Sequence, residues 1–254
     1  MPPHLLARRI LAVSFIGLIA ASALFTAFST LDLPVSGLFG SEGGFPVATV
    51  PFWIAVRYGF MVSIYAVLAW LIVAMILGRW FPRREALAGV LAYVLGSGLL
   101  VNGLLKAHWG RARPRDIVQF GGDRLFMPPL IPVDQCSYNC SFVSGEGSAV
   151  TTAALVLLLL FWGRIDRRGR VIASVVAVAY AGAGSWLRVA FGGHFLSDII
   201  FAALLMGVLV PGIWLVVMGR GGPSPCPIQT ALRPALPGWF RSRGGTGTCR
   251  PSRR

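Results

Sequence analysis

Residues 58–77 read YGFMVSIYAVLAWLIVAMIL, twenty positions without a charge. As a helix, a run of that length covers the roughly 30 Å hydrocarbon core of a bilayer. Working outward from it, similar runs occupy about residues 10–28, 86–105, 148–162, 171–189 and 195–218. Composition agrees, because 56% of the 254 residues are hydrophobic and only 13% are charged, against about a quarter charged in a soluble domain. The sequence therefore predicts an all-α integral membrane protein of about six transmembrane helices over residues 1–218. A basic tail, 219–254, follows; it is rich in Pro, Gly and Arg, lacks apolar periodicity and is expected to be disordered.

The net charge is +14, which in a soluble protein would suggest nucleic acid. Here the arginines cluster at Arg8 and Arg9, at Arg79, Arg83 and Arg84, at Arg164, Arg167, Arg168 and Arg170, and along the tail. The clusters fall between alternate apolar runs, as the positive-inside rule expects of cytoplasmic loops. No aromatic residues interleave with them to form a base-stacking platform, so nucleic acid is excluded as a partner. Segments 31–51 and 106–147 are then external, and 79–85, 164–170 and the tail internal. The first run, with its short basic start and Ala21-Ser22-Ala23, also has the shape of a signal peptide; in either case the chain after it emerges outside. The expected location is the plasma (inner) membrane, with the external face toward the periplasm or exterior.

Gly96-Ser97-Gly98 and Ala181-Gly182-Ala183-Gly184 suit close helix packing in lipid. Cys136 and Cys140, four apart in the external loop, are placed for a disulfide in an oxidising compartment. The loop offers too few further ligands for a metal site. Cys226 and Cys249 read as free thiols of the inner tail.

Three polar clusters interrupt the apolar chain: Lys106-Ala-His-Trp-Gly-Arg-Ala-Arg113-Pro114, Ser144-Gly145-Glu146, and Arg188 with His194 and Asp198. On this topology all three meet at the outer membrane surface, and ionisable groups at such depths mark functional sites. Lys106, Arg113 and Arg188 supply fixed positive charge, and guanidinium forks match phosphate oxygens in pairs. Ser144 and the amides after it open a helix, a seat for a phosphate. His194 and Asp198, four apart, share one helical face, so the carboxylate can hold one imidazole nitrogen protonated and leave the other to attack. Taken singly, each has a plainer reading: snorkelling cations for Lys106 and Arg113, a helix cap for Ser144. Taken together, on one side of the membrane, they point to phosphate chemistry.

The pattern Lys106-x6-Arg113-Pro114, Ser144-Gly145, Arg188-x5-His194-x3-Asp198 resembles the type 2 phosphatidic acid phosphatase superfamily, in its bacterial membrane lipid phosphatase branch. The resemblance spans residues 106–198 and implies a six-helix core and hydrolysis through a phosphohistidine. By it His194 would be the nucleophile, Asp198 its orienting partner, and Lys106, Arg113, Ser144, Gly145 and Arg188 the holders of the phosphoryl oxygens. No metal and no other cofactor would be needed. One position departs. The family carries Pro-Ser-Gly-His, whose histidine is the expected proton donor, and this chain carries Val143-Ser144-Gly145-Glu146. Glu146 serves as a general acid only when protonated, which the nearby cations oppose; the acid role is nonetheless the expectation adopted here, with a counter-ion role as its alternative. His108 is a second candidate donor, whereas His4 lies on the opposite side.

A phosphate at headgroup depth implies a lipid substrate: lipid A, a polyprenyl diphosphate or a phosphatidate. Arg111, Arg115 and Arg124 are expected to add external positive charge that favours a polyanionic lipid. The apolar stretch 125–131 either lies on the bilayer, lines a lipid entrance or packs on its own domain. A lipid phosphotransferase and a non-catalytic lipid-phosphate binder or transporter are the rival functions.

Overall fold

A computed structural model of the chain describes residues 1–219. The elements are α1 (Pro3–Ala27), α2 (Asp32–Gly37), α3 (Pro51–Leu77), α4 (Arg83–His108), α5 (Gly145–Trp162), α6 (Arg167–Ala190) and α7 (Leu196–Gly219). All but the short α2 are long and apolar enough to cross a membrane, and the described residues contain no β-sheet. The expected disordered tail lies outside the described residues, apart from Gly219, and so do Cys226 and Cys249.

Helix ends follow local chemistry. Pro51 opens α3 at a position whose amide has no helical partner to lose, and Gly78 closes it in the left-handed region at φ 64°. The helix thus begins seven residues before the uncharged run that announces it, and Arg57 lies inside the span. Asp166 caps α6 by accepting the Gly169 N–H at 2.8 Å. The middle of α4, Ala92–Leu105, is π-helical. Tyr93, Ser97, Asn102 and Lys106 follow one another at intervals of four, five and four residues, wider than the 3.6 of an α-helix, and all four line the same cavity.

Helix α5 sits at the centre, with 67% of its apolar window buried against 17% in α1, α3 and α6. Leu71, Val101, Val150, Val156, Leu159 and Met206 form the core around it. Val171, Ile172, Val175, Val176 and Val178 stay exposed on α6, the face that lipid covers. Two of the glycines expected at close crossings are there: a Cβ on Gly96 would come within 3.0 Å of Met206 Sδ, and one on Gly184 within 2.9 Å of Val150. Gly182, by contrast, borders open space. At one end of the bundle Arg164 Nη2 meets Glu85 Oε2 at 2.8 Å, tying the α3–α4 turn to the α5–α6 turn. At the other, the segment after α1 and the loop after α4 share a small core of Phe45, Ala112, Ile117, Phe120 and Phe195.

The arginine-rich end is expected to face the cytoplasm. In a protein with Cys226 and Cys249 replaced by serine, a single cysteine at Asp123 should react with a membrane-impermeant maleimide in intact cells. One at Asp166 should react only after permeabilisation; the reverse pattern would turn the topology over.

Candidate active site

The link between α6 and α7 explains the Arg-x5-His-x3-Asp spacing. After Arg188 the helix ends in a turn with Gly192 at φ 60°, and the amides of Gly193 and His194 cap the Arg188 carbonyl at 3.0 and 3.3 Å. A Cβ on Gly193 would fall 2.5 Å from Arg188 Nη2, so glycine there lets the guanidinium and the imidazole share one pocket. Asp198, in the first turn of α7, reaches back to the Phe195 N–H at 2.8 Å, an N-terminal capping contact.

His194 is 2% exposed. Its Nδ1 lies 2.8 Å from the Ser141 carbonyl, which can only accept, so Nδ1 carries the proton and Nε2 keeps its lone pair. Asp198 Oδ2 stands 3.7 Å from Nδ1 and instead accepts the Ser141 hydroxyl at 2.5 Å. The carboxylate therefore holds the imidazole through Ser141, not by the direct bond the four-residue spacing suggests. Burial lowers the His194 pKa to about 4, with Asp198 opposing and Lys106 and Arg188 assisting. Burial thus favours the neutral ring.

A cavity of about 890 Å³ opens over this histidine. Lys106, Arg113, Gly145, Glu146, Arg188 and His194, all expected from sequence, line it. Lys106 Nζ donates to Asn139 Oδ1 at 2.8 Å, and Arg113 Nη2 to the Asn139 carbonyl at 2.6 Å. Asn139 belongs to the loop closed by the Cys136–Cys140 disulfide, so the expected bridge frames the residue that aims two cations. Arg188 is 5% exposed, and its Nε has no hydrogen-bond partner among the described residues. A buried guanidinium whose N–H groups are not all satisfied is costly and leaves room for an anion. The other end of the cavity is apolar, with Met61, Ile64, Leu68, Val94 and Leu99.

Two expected residues stand behind the wall. Ser144 is fully buried and accepts the Gly147 N–H at 3.1 Å: its hydroxyl caps α5, and Gly145, not Ser144, borders the cavity. Asp198 is likewise fully buried. His108 is exposed, its Nδ1 2.8 Å from the Leu104 carbonyl of its own helix, and is not among the cavity residues. Glu146 takes Arg57 Nη2 at 2.6 Å and Arg57 Nε at 3.1 and 3.2 Å, and lies 3.5 Å from Arg188 Nε. That is the geometry of a counter-ion.

Arg111 corrects the count of external charges. It is fully buried, donating to Asp198 Oδ1 at 2.7 Å, Asp32 Oδ2 at 2.8 Å, Ser197 Oγ at 2.9 Å and the Met127 carbonyl at 2.9 Å. Its guanidinium lies 4.2 Å from the Phe195 ring centre. Asp32 also accepts the Ser197 N–H and hydroxyl, at 2.8 and 2.5 Å; burial pushes its carboxyl above the usual range while Arg111 opposes. Arg115 and Arg124 do lie at the surface, loosely paired with Asp116 and Asp123. The stretch 125–131 packs on its own domain: Pro129 accepts from Trp109 Nε1 at 2.7 Å, and Phe126 meets Phe195 at 5.5 Å. Asp32, Arg57, Asn139 and Ser141 were not singled out by sequence; a lone charge beside an apolar run was the only signal for Arg57, and the other three carried none.

Residues 86–221 match the family model described as PAP2 superfamily. A lipid A 4'-phosphatase of Rhizobium etli is 33% identical over 222 residues, 73% of this chain and 82% of that protein. A lipid A 4'-phosphatase of Rhizobium leguminosarum is 35% identical over 73% of this chain and 91% of its own length. A third, from Francisella tularensis subsp. novicida, is 37% identical over 122 residues, which span 48% of this chain and about half, 52%, of the relative. No solved structure matches the chain.

Removing Asp32 leaves the buried Arg111 with one carboxylate in place of two. Asp32→Ala should therefore destabilise the protein by about 3–5 kcal/mol, read as a shift in unfolding in mixed micelles. Asp32→Asn, whose single carbonyl oxygen can still accept the Ser197 N–H, should lose less.

Proposed function

The chain belongs to the PAP2 superfamily, and on that premise we propose that it is a membrane lipid phosphatase working at the outer face of the bilayer through a phosphohistidine on His194. The observation that carries the reading is Arg188, buried beside the imidazole with no hydrogen bond to its Nε and only Glu146 near it, in a cavity that is cationic at one end and apolar at the other. A lipid phosphate matches both ends.

In the proposed reaction Lys106, Arg113 and Arg188 hold the non-bridging oxygens, with the amides that open α5 beside them. Nε2 of His194 attacks phosphorus, and the bond to the lipid oxygen breaks. Water then attacks the phosphohistidine, releasing inorganic phosphate and restoring the imidazole. Ser141 and Asp198 keep Nδ1 protonated throughout, which fixes Nε2 as the nucleophile. Glu146 acts as a counter-ion to Arg57 and Arg188. Among lipid phosphates, a lipid A-type saccharolipid monoester ranks first, because three similar proteins are lipid A 4'-phosphatases.

The purified protein in detergent, with chelator present, should release phosphate from lipid A-type substrates faster than from phosphatidate or a polyprenyl diphosphate. His194→Gln should reduce that release by roughly 10³-fold or more without loss of folded protein. Phosphate passed to a second lipid with none set free would put a phosphotransferase in its place, and full turnover by the variant would remove the phosphohistidine.

A further inference from the structure

Arg57 lies outside the matched region and outside all three polar clusters, yet it borders the cavity. Its neighbours along α3 decide what it faces. Met61, Ile64, Tyr65 and Leu68 line the same cavity, and with Arg57 they follow the i, i+4, i+7, i+8, i+11 spacing of one helical face. Arg57 heads this stripe at the cationic end, and the apolar side chains continue from it away from that end. A lipid with its phosphate among Lys106, Arg113 and Arg188 and its tail along the stripe would run past Arg57, which stands where the two parts of the cavity meet. Glu146 holds the guanidinium there by Nε and Nη2. Among the described residues Nη1 makes no such bond, and the pair is open to the cavity, with side-chain exposures of 30% and 26%.

We propose that Arg57 is a further catalytic residue, whose guanidinium, clamped by Glu146, stabilises the negative charge that develops on the leaving lipid oxygen. The inference rests on the phosphatase reading above. As the Nε2–phosphorus bond forms and the phosphorus–oxygen bond breaks, the electron pair stays on the lipid oxygen, which Arg57 holds by hydrogen bonding. A cavity water gives that oxygen its proton, and the resulting hydroxide opens the phosphohistidine to give phosphate. Glu146, with both oxygens engaged by arginines, gives up no proton in this scheme; it aims Arg57. A fixed cation thus does the work that a general acid would otherwise do.

Such a group matters in proportion to the basicity of the leaving oxygen. The test compares two synthetic monoesters of equal chain length, an alkyl phosphate and an alkylphenyl phosphate, whose phenol has a pKa of about 10. Arg57→Ala should lower kcat on the alkyl ester by roughly 10²–10³-fold, the loss typical of one missing oxyanion donor, and on the aryl ester by a few-fold at most. Arg57→Lys should recover part of the alkyl activity. Arg57→Ala combined with Glu146→Gln should show no greater difference between the two esters than Arg57→Ala alone. The aryl ester doubles as a control for folding, since an unfolded variant loses both substrates.

Equal losses on the two esters would overturn the proposal, leaving Arg57 a binding or structural residue. A leaving-group-dependent loss in Glu146→Gln without one in Arg57→Ala would overturn it in favour of Glu146 as the acid. Both results require a wild-type protein that turns over the esters and so leave the phosphatase reading standing. A wild-type protein inactive on both esters and on lipid A-type substrates would remove that reading, and the inference with it.

Discussion

A guanidinium buried without water must be surrounded by acceptors, and Arg111 meets that demand by drawing three separate parts of the chain together. It joins Asp32 from the segment after α1, the Met127 carbonyl of the loop after α4, and Asp198 and Ser197 of α7. Asp198 in turn fixes the Ser141 hydroxyl, and the Ser141 carbonyl fixes the imidazole of His194. The orientation of the candidate nucleophile therefore depends on an ion-pair network that begins far from it in sequence. Removing one partner strands charge in the interior, so the network is specified as a unit.

Much of this fold was legible because lipid is an undemanding reader. Twenty apolar residues make a span whatever their order. The ends were less legible. The uncharged run 58–77 suggested a start at Tyr58, but Pro51 sets the true start, and the difference hides Arg57 inside the helix. The π-helical stretch of α4 leaves no trace in hydropathy, because a wider turn made of apolar residues looks like any other apolar run.

At the candidate site, the residues visible in sequence were those whose spacing is forced by one local turn. Arg188 and Asp198 flank the short link between α6 and α7 that holds His194, and Lys106 and Arg113 flank the end of α4. Asn139, Ser141 and Asp32 act through contacts between segments that no local spacing encodes. The same limit explains Arg111: a third arginine in a basic motif reads as surface charge until the two carboxylates around it are known. Ser144 shows the converse, since the plain reading of a serine before a helix, a cap for α5, describes what its hydroxyl does.

The Arg57–Glu146 pair has an evolutionary consequence. Replacing the carboxylate alone would leave Arg57 and Arg188 facing one cavity wall with no anion between them, and replacing the guanidinium alone would leave the carboxylate leaning on Arg188. Each first step on its own is unfavourable, so the two positions are coupled although 89 residues separate them. The coupling also crosses the boundary of the shared domain, because Glu146 lies within residues 86–221 and Arg57 before them.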